Sequence, residues 1–214
     1  MLNQIQIKHV TKEMRGQTVL SDINLTLEAG KAYGLCGYNG SGKTMLLRMI
    51  AGLIRPTSGE VWVDDKCLHK DLDFPQNMGV LIENPGFWGN YTAEETLYAL
   101  AQIQKKVGMD KIEKTIARVG LTPGDKRTIR KFSLGMKKRL GIAQAILEQP
   151  DILLLDEPSN ALDKRGVVLS HEIMQEEKAR GALIVVASHQ PEDLAICDVI
   201  YEMEEGKIVE VRQA

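Results

Sequence analysis

At 214 residues the chain is long enough to bury one large core, with room for a smaller subdomain beside it. Acidic and basic residues nearly balance, and the net charge of −2 gives no overall pull toward nucleic acid. Cys36, Cys67 and Cys197 lack C-x-x-C or Cys/His spacing, which argues against a zinc site or a disulfide framework and suits a reduced, cytosolic environment.

In chain order, residues 1–7 alternate like a strand, without the basic start and apolar core of a targeting peptide. Ile5 and Ile7, then Ile23, Leu25 and Leu27, alternate with polar residues as half-buried antiparallel strands do. Residues 28–31 turn the chain into a short buried strand, Ala32-Tyr33-Gly34-Leu35-Cys36, and residues 45–50 read as a helix without a breaker. Gly52, Pro56 and Gly59 punctuate a loop before another strand at 60–63.

Val80-Leu81-Ile82 is a short apolar strand ending at Glu83, and Asn84-Pro85-Gly86 predicts a turn. Three aromatics crowd into the next stretch, Phe87, Trp88 and Tyr91, as subdomain core or as a docking surface. Thr92 with Glu95 predicts a capping box opening a helix to about Lys106, and a second helix runs from Asp110 to Val119 before Gly120, Pro123 and Gly124. The basic residues between Lys126 and Arg139 read as a solvated face, or one near anionic lipid, ahead of a nucleic-acid patch. A helix follows with Leu140, Ala143, Ile146 and Leu147 at helical spacing, ended by Pro150.

Asp151 to Glu157 predicts a buried strand that delivers two carboxylates at its C-terminal end, the end where open α/β sheets bind ligands. A mostly polar helix reaches about Arg180; a buried strand at 183–188 ends at His189; residues 199–203 and 207–211 flank Glu205-Gly206 as a closing hairpin. The longest apolar runs, 152–155 and 182–187, fall far short of the ~20 residues of a membrane span, so a soluble protein is expected.

Gly37-Tyr38-Asn39-Gly40-Ser41-Gly42-Lys43-Thr44 fits G-x-x-x-x-G-K-[ST] at every fixed position, between a strand and a helix. At ordinary residue frequencies this pattern arises by chance in about one chain per hundred of this size. Its glycines let successive N–H groups approach phosphate oxygens, Lys43 can reach the β- and γ-phosphates of a nucleoside triphosphate, and the Thr44 hydroxyl can ligand Mg²⁺. Beside such a loop, Asp156 becomes the expected Mg²⁺ partner and Glu157 the general base for an attacking water. His189 emerges at the same sheet edge and is expected to contact the γ-phosphate.

The order of P-loop, Phe132-Ser133-Leu134-Gly135-Met136, the Asp156-Glu157 strand, Asn160-Ala161-Leu162-Asp163 and Ser188-His189 resembles the ATP-binding cassettes of ABC transporters over essentially the whole chain. The resemblance implies one domain over residues 1–214: a RecA-like α/β P-loop NTPase core, an N-terminal antiparallel β subdomain and a helical subdomain inserted at about 88–147. It implies ATP and Mg²⁺ as ligands, with Asn39, Gly40, Ser41, Gly42, Lys43 and Thr44 around the phosphates. It further implies a second cassette, the same or different, on which Ser133 and Gly135 would hold the γ-phosphate at the partner's P-loop. Asp163 would communicate across that interface, with ATP binding closing the pair and hydrolysis releasing it. An integral-membrane permease and attachment to the inner face of the cell membrane follow from the same resemblance, and the balanced charge predicts no nucleic-acid partner.

Three departures stand out. The family's Leu-Ser-Gly-Gly-Gln signature is Phe132-Ser133-Leu134-Gly135-Met136 here, Met14 stands where an aromatic usually stacks on adenine, and Glu83 replaces the usual Gln. A carboxylate at 83 should bind Mg²⁺ more strongly than an amide while adding negative charge beside Asp156 and Glu157. Glu83-Asn84-Pro85, Ser133-Leu134-Gly135-Met136 and the later motifs together resemble the bacitracin-resistance and lantibiotic-immunity branch, whose cassettes serve a separate membrane subunit. The resemblance leaves open a cassette for another cargo, such as a drug, lipid or ion, and a soluble regulatory ATPase.

Overall fold

The computed structural model describes residues 2–83 and 86–213. Its strands are β1 (Gln4–Met14), β2 (Gln17–Glu28), β3 (Ala32–Cys36), β4 (Ser58–Val63), β5 (Lys66–Cys67), β6 (Met78–Leu81), β7 (Ile152–Asp156), β8 (Leu183–Ala187), β9 (Val199–Glu204) and β10 (Lys207–Gln213). Its helices are α1 (Lys43–Ile50), α2 (Ala93–Gln104), α3 (Met109–Arg118), α4 (Leu134–Ile146), α5 (Lys164–Ala179) and α6 (Pro191–Leu194), with a 3₁₀ turn at Ile129–Lys131.

The alternating N-terminal strands form an antiparallel sheet in the order β2-β1-β4-β5, with Ile5 opposite Leu27 and Ile7 opposite Leu25. A second sheet runs β10-β9-β3-β8-β7-β6; its strands are parallel except for the β9–β10 hairpin. Successive residues of β7 and β8 pack on opposite faces: Ile152, Leu154, Leu183 and Val185 face α1 and the antiparallel sheet, while Leu153, Leu155, Ile184 and Val186 face α4 and α5. Burial on both faces is why these strands read as unbroken apolar runs. Helix α4 lies hard against β6, where a Cβ on Gly79 would stand 1.9 Å from the Ala145 carbonyl oxygen.

Parallel pairing brings the C-terminal ends of β3, β6, β7, β8 and β9 to one edge of the sheet. That edge therefore carries the phosphate loop, Glu83, Asp156 with Glu157, Ser188 with His189, and the Glu205-Gly206 turn. Several boundaries differ from those the sequence suggests. Helix α2 opens with the expected capping box at Thr92 and Glu95 but stops at Lys105, which takes a left-handed conformation. Helix α4 ends at Ile146, four residues before Pro150. Helix α6, the 3₁₀ turn and β5 are too short to leave a periodic signal. Of the turn expected at 84–86, Asn84 and Pro85 lie outside the described residues.

Candidate functional site

The phosphate loop leaves β3 at Gly37, whose φ of 145° and proximity to Met203 (a Cβ would be 2.3 Å from its carbonyl oxygen) exclude any side chain. Gly42 caps α1 without a side-chain bond, so the helix N–H groups and the positive end of its dipole face outward. Lys43 folds back over its own loop, its Nζ donating to the carbonyls of Gly37 at 2.6 Å and Tyr38 at 3.0 Å. The Ser41 hydroxyl beneath is buried and has no hydrogen-bond partner among the described residues. A glycine cradle, a helix start, a buried ammonium and an unspent hydroxyl together fit an anionic phosphate group.

The Thr44 hydroxyl donates to Asp156 Oδ2 at 2.8 Å, joining the loop to the end of β7. Burial pushes the Asp156 carboxyl up from its usual range; the Thr44 bond opposes this and the neighbouring Glu157 carboxylate adds to it. Hard oxygen donors of this kind suit Mg²⁺, which takes one or two carboxylates and completes its shell with water and phosphate.

Glu157 has φ of 47° and its N–H bonds the Ala187 carbonyl at 2.8 Å. Its carboxylate lies 2.8 Å from His189 Nδ1 and 3.0 Å from the Ser188 hydroxyl, which in turn reaches the fully buried Asp193 on α6 at 2.7 Å. His189 thus pairs with Glu157. Glu83, also left-handed with φ of 60°, is bound by Arg48 of α1 at 2.7 Å and makes no hydrogen bond to Thr44 or Asp156 among the described residues.

A cavity of about 590 Å³ is lined by Asn39, Gly40, Gly42, Lys43 and Thr44, by Glu83, Lys138, Asp156, Glu157 and Asn160, and by Gln17, Thr18, Val19, Glu205 and Gly206. Met14 stands at the exposed tip of β1, opposite Gln17, and is not part of this lining. Ser133 and Gly135 belong instead to a separate cavity of about 540 Å³, shared with Arg139, Ala161 and Asp163. Ser133 caps α4, accepting from Met136 N at 3.1 Å, and Gly135 is needed where a Cβ would stand 2.8 Å from the Ala161 carbonyl oxygen.

The ABC transporter family profile matches residues 20–160, about two thirds of the chain. The chain belongs to the ABC transporter family. Its class of chemistry is accordingly that of an ATPase, and the cassette binds ATP. It is similar to the uncharacterized ABC transporter ATP-binding protein YybJ of Bacillus subtilis (strain 168), at 48% identity over 95% of this chain and 94% of YybJ. It is also similar to the bacitracin transport ATP-binding protein BcrA of Enterococcus faecalis, at 38% identity over 96% of this chain and 68% of that protein. The fold matches that of a bacterial ABC transporter cassette, MJ0796, solved as a dimer, with a TM-score of 0.86 at 23% identity over 98% of both chains.

Sequence reasoning missed several parts of the cassette's cavity. Glu205 and Gly206 reach it because β9 pairs with β3, and Gly206 N donates to the Ser41 carbonyl at 3.0 Å. Lys138, read as part of a solvated basic face, is only 6% exposed, and burial pushes its ammonium pKa down. Its neighbours are equally committed: Arg139 bonds Asp163 and the Gly120 carbonyl, and Arg127 pairs with Asp125. No periodic signal marked Lys138, since Arg139 shares as apolar a stripe, with Ile142, Ala143 and Ile146, and is only partly buried. Of the three clustered aromatics, Phe87 packs on the core, whereas Trp88 and Tyr91 are 55% and 43% exposed with ring centroids 5.4 Å apart.

Proposed function

We propose that this cassette is the ATP-hydrolysing subunit of an exporter that expels peptide antibiotics of the bacitracin or lantibiotic type through a separate membrane permease, to whose cytoplasmic side it attaches. The observation that carries the hydrolytic part is the Thr44–Asp156 hydrogen bond, which joins the phosphate loop to the strand that presents Glu157 within one cavity. Similarity to a bacitracin transport protein supports the cargo. Among the described residues no helix is long and apolar enough to cross a membrane, and the permease is proposed as a separate chain.

In this reading the loop amides, Asn39 to Gly42 and the Ser41 hydroxyl grip the phosphates, and Lys43 releases its two carbonyls to neutralise the transferring group. Mg²⁺, held by Thr44 and Asp156, supplies charge neutralisation when bound. Glu157 takes the proton of an attacking water, and His189, hydrogen-bonded to it, orients that carboxylate and supports the γ-phosphate. The nucleoside lies toward Gln17–Val19 and Glu205, with Met14 at the rim. Ser133 and Gly135, in their own cavity on a helix start, act on nucleotide bound to a second cassette. Glu83, latched to Arg48, tunes coupling to the permease, and residues 88–147 form the helical subdomain that meets it.

The experiment is survival of cells lacking this subunit across a panel containing bacitracin and several lantibiotics. Selective hypersensitivity, restored by the wild type but not by Glu157→Gln, is the expected result. An unchanged profile with the subunit expressed would leave the ATPase standing and move the cargo elsewhere.

A further inference from the structure

One buried charge has no role in the motif chemistry. Lys138 stands five residues after Ser133, on the buried stripe of α4, and its side chain forms part of the nucleotide cavity wall beside Lys43, Asp156 and Glu157. Removing an ammonium from water is costly unless it is well paired, so a lysine is an expensive way merely to pack a helix on a strand. Among the described residues its one hydrogen bond runs from Nζ to the backbone carbonyl of Asp156, at 3.2 Å.

That carbonyl belongs to the peptide joining Asp156 to Glu157. The other polar atom of the same peptide, the Glu157 N–H, donates to the Ala187 carbonyl on β8. Both ends of the peptide that carries the two carboxylates are therefore held, one by the sheet and one by Lys138. The hold matters because Glu157 occupies the left-handed region, where a residue with a Cβ persists only if its surroundings enforce it.

We propose that Lys138 is a positioning residue for hydrolysis: by donating to the Asp156 carbonyl it keeps Glu157 in the left-handed conformation that turns its carboxylate toward the nucleotide cavity. The same helix is capped by Ser133, about 7.5 Å away along its axis at 1.5 Å per residue, with Gly135 in its first turn. A shift of α4 driven at its N-terminus thus changes the hold on Glu157, linking the two cavities through one rigid element. This rests on the reading of Glu157 as the base.

The test compares Lys138→Met, which keeps length and loses the donor, with Lys138→Gln, which keeps a neutral donor, in the full chain. Steady-state kcat and KM for ATP are measured, with ATP affinity determined separately. Lys138→Met should lose at least tenfold in kcat with KM and affinity within threefold, and Lys138→Gln should stay within threefold of wild type. In a Glu157→Gln background, adding Lys138→Met should lower the residual rate by less than twofold.

The proposal is overturned if Lys138→Met keeps its kcat, if affinity falls in step with the rate, or if Lys138→Gln is as slow as Lys138→Met, which would make charge on the phosphate the requirement. Should Lys138→Met not melt cooperatively, Lys138→Gln decides alone: within threefold supports the donor role and a tenfold loss overturns it. Near wild-type turnover by Glu157→Gln would remove the base reading and this proposal with it. Wild-type turnover by Lys138→Met beside an inactive Glu157→Gln would remove this proposal only.

Discussion

Asp156→Asn should make the nucleotide-free cassette more stable while weakening its response to Mg²⁺ and ATP. The Asp156 carboxylate is buried, and its hydrogen bond comes from the neutral Thr44 hydroxyl. Neither nearby ammonium donates to it: Lys43 bonds the Gly37 and Tyr38 carbonyls, and Lys138 bonds Asp156's own carbonyl. Asparagine keeps the acceptor for Thr44 and removes the buried charge, a change expected to gain about 1–2 kcal/mol. For a chain of this size each kcal/mol moves Tm by about 2–4 °C, so the variant should melt roughly 2–8 °C higher.

Saturating Mg²⁺ and ATP stabilise the wild type by about 2.7 kcal/mol at a hundredfold excess over Kd. That exceeds the gain from asparagine, so the order of melting should reverse on adding nucleotide with metal. The pH dependence follows from the raised Asp156 pKa. Its charge penalty is absent below the unfolded value, near 3.8, and appears as pH rises through the higher folded value. The gap between variant and wild type should therefore close as pH falls toward 4. Thermal unfolding followed by circular dichroism between pH 4 and 8 checks this, and an Asp156→Asn chain that melts lower at pH 8 without nucleotide, or a gap that widens in acid, would refute the reasoning.

Gly135→Ala places a Cβ 2.8 Å from the Ala161 carbonyl oxygen and should cost about 1–3 kcal/mol in unfolding titrations. ATP affinity should survive while turnover falls, and unchanged turnover would detach Gly135 from the reaction. Glu83→Gln and Arg48→Ala open one exposed ion pair, so stability should change by less than about 1 kcal/mol. ATPase rate and transport should nonetheless shift separately; if neither moves, Glu83 does not tune coupling. Alanine at Trp88 and Tyr91 should leave Tm nearly unchanged because both rings are exposed, while co-purification with the membrane subunit is lost; intact co-purification would remove the docking role.

Much of the fold was legible because buried parallel strands and capped helices leave local signals. Residues 32–36 were read to the residue, and Thr92 with Glu95 announced both cap and helix start. Short elements were not legible: α6 spans four residues and β5 two, less than one period of any repeating pattern. The sequence also gives no strand order, and that order decides which loops share an edge.

The same distinction governs the site. The residues that meet around Thr44 and Asp156 were found because fixed spacing within each motif reports local backbone geometry, and both motifs end on adjacent parts of one parallel sheet. Glu83, expected to ligate Mg²⁺ from the family's Gln position, lines the same cavity as Thr44 and Asp156 and pairs with Arg48, one helical turn beyond Thr44 on the same helix. Met14, expected to touch adenine, stands outside the cavity lining, which begins three residues later at Gln17. Lys138 was hidden by composition: in a run rich in lysine and arginine, only the packing of α4 against the end of β7 separates the buried cation from the solvated ones. Electrostatic partners are thus chosen by three-dimensional proximity, which the spacing of residues along the chain does not record.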